Sequence, residues 1–188
     1  ESGYVLETSQ EEIAVDTLIN AAGLGSDKVA AMLGIDIDSC GYRLQYCKGE
    51  YYSLSARYKF DHLVYPVPSP HFLGIHLTQD LSGRQRLGPN AYYVNNIDYD
   101  MDEAYRHEFF TAASRYIPDL HIDDIQPDYS GIRPKLQGPG QPFRDVVIKD
   151  ERDLGFPGFI NLIGIESPGL TSCLAIGRYV CEMLSEQI

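Results

Sequence analysis

Hydrophobic and polar positions alternate, or give way to short apolar runs, over segments of the chain that predict β-strands. These segments are 3–8, 13–20, 42–54, 62–67, 72–78, 84–87, 125–133, 146–149 and 159–165. The run at 13–20 leads into Ala-Ala-Gly, which suits a buried strand whose C-terminal end approaches another group closely. Segments 72–78 and 84–87 predict a hairpin around residues 81–83.

Helical spacing of apolar residues predicts a helix in the middle of the chain and another at its C-terminal end. The first has one apolar face, with Asp100 or Asp102 as its N-cap and Pro118 at its end; the face consists of Tyr105, Phe109, Ala112, Ala113 and Tyr116. The second runs from about Leu170 to Ser185, and its predicted inward residues are Ile176, Val180, Met183 and Leu184. A short helix capped by Ser26 or Asp27 is predicted to end at Gly34. Strands with helices packed on them predict an α/β or α+β fold.

Composition describes a folded protein that carries a strong negative charge. The chain has 188 residues, 44% of them hydrophobic, and a formal net charge of −12. This charge argues against non-specific binding to nucleic acid or to anionic membranes. We expect no transmembrane segment and no signal peptide. The acidic pairs Asp123-Asp124 and Asp150-Glu151 are interpreted as solvated loop residues.

The cysteines give no sign of a metal site. Cys40, Cys47, Cys173 and Cys181 form no C-x-x-C pair and no zinc-ligand spacing with histidine, so no metal is predicted. Cys173 and Cys181 fall on roughly one face of the C-terminal helix, which predicts buried thiols. Free thiols are typical of a reducing compartment, and we expect a cytoplasmic location.

The segment 164–172, Gly-Ile-Glu-Ser-Pro-Gly-Leu-Thr-Ser, forms a turn that opens directly onto the C-terminal helix. The free N–H groups and positive dipole end of a helix start attract an anion or an electron-rich carbonyl edge. Helix capping alone is the alternative explanation of this composition. Glu166 is unexpected so close to an anion site, and its role stays open between capping the helix and pairing with Arg133.

Two other segments add candidate chemistry. The small residues at 21–23 would let a flat ligand approach the end of their strand, although tight packing of helix on strand explains them as well. Arg133, between Ile132 and Pro134, offers two parallel N–H donors that match a carboxylate, with a structural ion pair as the alternative. Lys48 and Lys135 are further cations for a second carboxylate, with solvated surface lysines as the alternative, and Gly49 beside Lys48 is predicted to admit a ligand.

His76 is the histidine best placed for proton transfer. It alternates with Ile75 and Leu77 in a predicted strand, so its side chain points to the opposite face. Oxidation of a C–OH group needs a base with a pKa near 7 for the hydroxyl proton. A histidine that is hydrogen-bonded within the sheet is the alternative.

The segments 19–23, 129–134 and 164–172 resemble FAD-dependent oxidoreductases of the D-amino-acid oxidase superfamily. Three further segments add to the resemblance: 48–52 (Lys-Gly-Glu-Tyr-Tyr), 74–78 (Gly-Ile-His-Leu-Thr) and 88–91 (Gly-Pro-Asn-Ala). The L-2-hydroxyglutarate dehydrogenase/oxidase branch is the most similar. The resemblance corresponds to the C-terminal half of such an enzyme, because the G-x-G-x-x-G fingerprint of the family does not occur in this sequence. It implies that residues 1–39 and 131–188 form part of a Rossmann-like FAD domain. Residues 40–130 would then form a substrate domain with a mixed, largely antiparallel sheet and helices on one face.

The resemblance also implies roles for individual residues. The implied cofactor-binding residues are Ala22, Gly23, Gly131, Ile132, Pro168, Gly169, Leu170, Thr171 and Ser172. The implied substrate-binding residues are Arg133, Lys48, Lys135 and Tyr52, and the implied catalytic residues are His76 and Arg133. Without the upstream half we expect this chain to hold FAD poorly and to be inactive.

The function implied by the resemblance is oxidation of an L-2-hydroxy acid, favoured as L-2-hydroxyglutarate, by hydride transfer to FAD. The implied partners are a small carboxylate substrate and the N-terminal half of the same protein. One alternative is an amino-acid or N-methyl-amino-acid oxidase of the same superfamily. The other is a non-catalytic fragment or carboxylate-binding domain.

Overall fold

The computed structural model describes residues 3–67 and 74–185. In chain order the strands are β1 Tyr4–Glu7, β2 Glu12–Val15, β3 Leu18–Asn20, β4 Gln45–Leu54, β5 His76–Gln79, β6 Gln85–Gly88, β7 Tyr92–Val94, β8 Ile125–Lys135, β9 Val147–Asp150 and β10 Phe159–Ile163. The α-helices are α1 Ser26–Met32, α2 Arg106–Ala113 and α3 Gly169–Ser185. The fold is mixed α/β, as predicted.

The chain divides into two compact units. The first comprises the residues up to Gln45 and those from Arg133 onward, and the second comprises Tyr46–Ile132. The assignment of the units to cofactor and substrate remains a prediction.

The first unit contains a three-stranded sheet in the order β3-β10-β9, and β1 and β2 form a separate antiparallel hairpin. β3 runs parallel to β10, with Asn20 opposite Asn161, whereas β9 is antiparallel to β10. All five residues of β10 are buried, as expected for a strand covered on both faces. α3 packs on Ile160 and Leu162 of β10, and the predicted inward residues Ile176, Val180, Met183 and Leu184 make this contact.

The second unit contains a five-stranded sheet in the order β5-β6-β4-β7, with β8 beside β4. The pairs β4–β6, β4–β7 and β5–β6 are antiparallel. α2 contributes to the hydrophobic core of this sheet through Phe109 and Ala113, which pack with Tyr52, Leu77 and Leu87. The apolar residues at helical spacing thus form the contact between α2 and the sheet.

Several predicted elements differ in detail from the observed ones. The predicted strand 13–20 is interrupted, because β2 ends at Val15 and β3 begins at Leu18. Segment 62–67 contributes an isolated bridge between Val64 and Leu77 instead of a strand. Residues 72 and 73 of another predicted strand lie outside the described residues. The predicted Asp102 cap is observed before α2, in the 3₁₀ turn Glu103–Tyr105, whereas α1 has no side-chain cap.

Candidate active site

The turn between β10 and α3 is shaped by two glycines that leave no room for a side chain. Gly164 has a φ of +75°, and a Cβ atom there would lie 2.7 Å from Leu136 Cγ. A Cβ atom on Gly169 would lie 2.6 Å from Ile165 Cγ2. The Gly169 N–H donates to the Glu166 carbonyl oxygen over 2.5 Å, which closes the turn at the first residue of α3.

Replacing Gly164 with alanine should lower the free energy of unfolding by about 2–4 kcal/mol. About 1–2 kcal/mol comes from the left-handed backbone and the rest from overpacking against Leu136. Gly177→Ala is the matched control, because an added Cβ in the middle of α3 meets no described atom within 4 Å. That variant should gain about 0.5–1 kcal/mol from helix propensity. Urea unfolding of both variants checks the result, and equal stabilities would contradict it.

The first turn of α3 offers backbone donors. The Ser172 N–H donates to the Pro168 carbonyl oxygen over 3.0 Å, whereas the N–H groups of Leu170 and Thr171 have no acceptor among the residues that the structure describes. The Leu170 side chain is 90% exposed. Two free N–H groups at the positive end of a 17-residue helix suit an anion or a carbonyl edge.

Parallel pairing of β3 and β10 brings two predicted cofactor segments to one edge of the sheet. Both strands end at this edge, so the small residues after β3 and the helix start after β10 meet there. A groove of about 510 Å³ runs beside them, within the size range of ligand pockets. Its lining includes Ala21, Gly23 and Gly169, and side chains of α3 complete it. The N–H of the neighbouring Ala22 donates to the side-chain oxygen Oδ1 of Asn20 over 3.3 Å.

A smaller cavity lies on the other side of the helix start. It has a volume of about 240 Å³, and Glu166, Ser167, Pro168, Gly169 and Ser172 form part of its lining. Polar side chains of Gln137 and Arg144 face it from the segment after β8. The helix start is therefore accessible from two cavities within the first unit.

Glu166 pairs with the two cations at the end of β8. Lys135 Nζ lies 2.5 Å from Glu166 Oε1, and Arg133 Nε lies 4.0 Å from Glu166 Oε2. Arg133 and Lys135 are two residues apart on the strand and share one face. The open question about Glu166 is settled in favour of side-chain ion pairs, and its carbonyl oxygen closes the turn. The ion pair of Glu166 with Lys135 is shorter than its pair with Arg133, whose side chain is 34% exposed.

Lys48 and Tyr52 are engaged inside the second unit. The Lys48 ammonium donates to the Asp100 carbonyl oxygen and lies 3.9 Å from Glu50 Oε1. The Tyr52 hydroxyl donates to the Asp102 carbonyl oxygen over 3.2 Å, and burial together with the charge of Glu50 raises the pKa of Tyr52 to about 12. Both residues are buried, and the contact of either one with substrate stays a prediction.

Gly49 lies against the segment between β6 and β7, which leaves no space for a ligand. A Cβ atom on Gly49 would lie 2.9 Å from the Asn90 carbonyl oxygen and 3.0 Å from Pro89 Cβ. The predicted ligand access at this glycine is therefore wrong, because neighbouring backbone fills the space.

The His76 ring is held by a hydrogen bond to backbone and by a ring contact. Its Nδ1 lies 3.0 Å from the Gly74 carbonyl oxygen, which can only accept, so Nδ1 carries the hydrogen. The lone pair of the neutral ring is then on Nε2. The ring stacks on Tyr65 with centroids 4.6 Å apart, and 8% of the residue is exposed.

Strand register separates His76 from Lys48 and Tyr52. Leu77 and Tyr52 both pair with Leu87 and share the face covered by α2, whereas His76 pairs with Gly88 and faces the other way. Alternation along β4 places Tyr51 on the face of His76. The Tyr51 ring stacks on Tyr129 with centroids 4.7 Å apart. The sequence analysis did not single out Tyr51, although alternation along the predicted strand places it on the face opposite Tyr52.

Three further observations concern the cysteines, metal ligands and the membrane. Cys173 and Cys181 are exposed, so the prediction of buried thiols is wrong, because the inward face of α3 is formed by other residues. Within residues 3–67 and 74–185 no cluster of side chains could hold a metal ion. The helices in the same ranges are too short or too polar to cross a bilayer.

Comparison with known protein families identifies the class of protein to which the chain belongs. The family described as "FAD dependent oxidoreductase" matches residues 1–183, and the chain belongs to this family. Among curated relatives, the mitochondrial L-2-hydroxyglutarate dehydrogenase of Arabidopsis thaliana is 39% identical over 188 aligned residues, which cover 92% of this chain and 38% of that protein. The L-2-hydroxyglutarate dehydrogenase of Salmonella houtenae is 29% identical, covering 95% of this chain and 50% of that protein. The chain therefore spans about half the length of such relatives or less.

Solved structures agree on the fold. The L-alpha-glycerophosphate oxidase of Mycoplasma pneumoniae with FAD bound superposes with a TM-score of 0.77 at 22% identity, covering 98% of this chain and 47% of that chain. L-proline dehydrogenase from P. horikoshii superposes with a TM-score of 0.74 at 17% identity, covering 97% and 46%. At these identities the likeness shows a shared fold.

Proposed function

We propose that the whole protein that contains this chain oxidises an L-2-hydroxy acid, with L-2-hydroxyglutarate as the favoured substrate and 2-oxoglutarate as the product. The observation that carries the proposal is the cluster of Arg133, Glu166 and the α3 start in the first unit. It combines a guanidinium for a carboxylate with backbone donors for an electron-rich ring edge. The relatives named L-2-hydroxyglutarate dehydrogenase support the choice of substrate.

The residues of the first unit fit FAD. The free N–H groups of Leu170 and Thr171 and the small residues Ala22 and Gly23 would hold it, because they lie at one edge of the sheet and admit a flat group. Pro168, Gly169 and Ser172 shape the same turn. Gly131 and Ile132, which the resemblance also assigns to FAD, lie on β8 in the second unit. When bound, FAD supplies a two-electron acceptor. The phosphate-binding glycines would come from another part of the protein.

Arg133 would bind the 2-carboxylate of the substrate through parallel N–H donors. Its loose contact with Glu166 supports this role, because a 4.0 Å pair leaves hydrogen-bonding capacity for a ligand. Lys135 is proposed for the second carboxylate, in competition with Glu166 at 2.5 Å. The proposal omits Lys48 and Tyr52, whose polar atoms are engaged inside the second unit.

His76 would act as the general base. Its Nε2 lone pair would accept the hydroxyl proton while the C–H bond of C2 breaks and its electron pair leaves as hydride, so that a C=O bond forms at C2. The hydrogen bond from Nδ1 to the Gly74 carbonyl oxygen supports this assignment, because it fixes the ring orientation and the tautomer.

We also propose a compartment and partners for the protein. A cytoplasmic location remains our proposal, although the Arabidopsis relative is named as mitochondrial and the Salmonella relative is not. The proposed partners are a small carboxylate substrate and the remainder of the protein. The strong negative charge of the chain argues against nucleic acid as a partner.

Anaerobic bleaching of the flavin tests the proposed function directly. The whole protein, loaded with FAD, is mixed in turn with L-2-hydroxyglutarate, its D enantiomer, L-lactate, glycine, sarcosine and D-alanine. Rapid loss of flavin absorbance with L-2-hydroxyglutarate alone is the expected result. Bleaching only with amines would assign the protein to the amino-acid oxidases, and failure to bind FAD would favour a non-catalytic carboxylate-binding protein.

A further inference from the structure

We infer that Glu151 is a positioning residue that orients the backbone after β3 through two buried amide side chains. Asn161 Nδ2 donates to Glu151 Oε1 over 2.7 Å, and Asn20 Nδ2 donates to Asn161 Oδ1 over 2.8 Å. Asn20 Oδ1 then accepts the N–H of Ala22 over 3.3 Å. Glu151 and Asn161 are fully buried and Asn20 is 2% exposed. The three side chains are named here the Glu151 relay.

The direction of the Glu151 relay follows from the carboxylate at its end. An ionised carboxylate only accepts hydrogen bonds, so the Asn161 amide must turn its NH₂ group toward Glu151 and its oxygen toward Asn20. Asn20 must therefore turn its NH₂ group toward Asn161. Its oxygen then faces the N–H of Ala22, and the direction set at Glu151 reaches the end of β3.

Three further contacts lie at the ends of the relay. The Asn20 NH₂ group also donates to the Ser26 carbonyl oxygen over 2.8 Å, which ties β3 to the first residue of α1. At the other end, burial and a hydrogen bond to the Glu151 carboxylate raise the pKa of the Tyr42 hydroxyl. Lys149 Nζ lies 3.8 Å from Glu151 Oε2 and balances its charge.

The functional part of this inference rests on the proposed function, because Ala22 and Gly23 are proposed to lie against FAD. A buried carboxylate whose chain of bonds ends at that backbone would keep the turn in one orientation before the cofactor binds. Preorganised backbone binds a ligand more tightly, because less ordering is needed on binding. We therefore assign to Glu151 the positioning of the FAD-facing turn at Ala22.

Glu151→Gln in the whole protein tests the relay with little change in side-chain volume. The amide offers NH₂ as well as oxygen, so it no longer forces one orientation on Asn161. Amide hydrogen exchange at Ala22 should rise in the protein without FAD, by less than the roughly tenfold change that complete loss of one hydrogen bond produces. Asn20→Ala, which removes the acceptor itself, sets the exchange rate of Ala22 without a partner.

Glu50→Gln is the matched control, because Glu50 is an equally buried carboxylate in the second unit. It should leave exchange at Ala22 unchanged. The dissociation constant of FAD, measured by flavin fluorescence, should rise about fivefold or more in Glu151→Gln and in Asn20→Ala.

Three outcomes separate the relay from the proposed function. Unchanged exchange at Ala22 in Glu151→Gln overturns the relay, whatever the flavin does. Raised exchange with unchanged FAD affinity overturns the positioning role at the cofactor. If the unaltered protein binds FAD but L-2-hydroxyglutarate does not bleach it, the proposed substrate fails, while exchange and FAD affinity still decide the inference about Glu151.

Discussion

Replacing His76 with glutamine should lower kcat for L-2-hydroxyglutarate about 10²–10⁴-fold, the range of general-base catalysis, with little change in KM. Glutamine can still donate to the Gly74 carbonyl oxygen, which His76 Nδ1 contacts at 3.0 Å, but it cannot take the hydroxyl proton. Stopped-flow measurement of anaerobic flavin reduction gives the rate of this step. The effect should therefore appear in the flavin reduction rate and not in substrate affinity.

His62→Gln is the matched control for this experiment, because His62 is an exposed histidine of the second unit. It should change kcat less than twofold, as surface substitutions have small effects. An unchanged flavin reduction rate in His76→Gln would remove His76 from the mechanism. The hydroxyl proton would then pass to another group.

The second large effect is expected at Arg133. Arg133→Lys should lower kcat/KM for L-2-hydroxyglutarate about 10- to 10²-fold, since loss of one hydrogen bond to a charged group costs about 1.5–3 kcal/mol. Lysine keeps the positive charge but loses the parallel N–H donors that match a carboxylate. Steady-state kinetics over a range of substrate concentrations separates the change in KM from the change in kcat.

Arg178→Lys is the control for Arg133, because Arg178 is exposed on α3. Its kcat/KM should stay within twofold of the unaltered protein. If Arg133→Lys behaves like this control, the Arg133 contact with Glu166 is a structural ion pair and the carboxylate site lies elsewhere.

Local patterns in the sequence predicted the elements that carry the proposed cofactor site. The turn at 164–172 and the apolar spacing after it predicted α3, and its inward residues are confirmed. The Ala-Ala-Gly run predicted a strand end where a flat ligand could approach. Both predictions depend on short-range rules of helix starts and strand ends, which the fold leaves intact.

Features that depend on pairing partners could not be predicted from the sequence. The register of β4 with β6 and of β6 with β5 puts Tyr52 on the face opposite His76. Alternation within one strand cannot reveal which face the helices cover. Glu151 was interpreted as a solvated acid, yet it is fully buried, because Asn161 comes close to it only in the folded chain. Such contacts between residues distant in sequence are fixed by tertiary structure.

The turn before α3 has a consequence for how this protein can evolve. Gly164 needs a left-handed backbone and has Leu136 against it, and Gly169 has Ile165 against it. A side chain at either position must displace a packed neighbour, so substitution at Gly164 is eased by a smaller residue at 136. In a deep mutational scan this segment should therefore be nearly invariant, and most inherited or random changes there should reduce the amount of protein before they affect its chemistry.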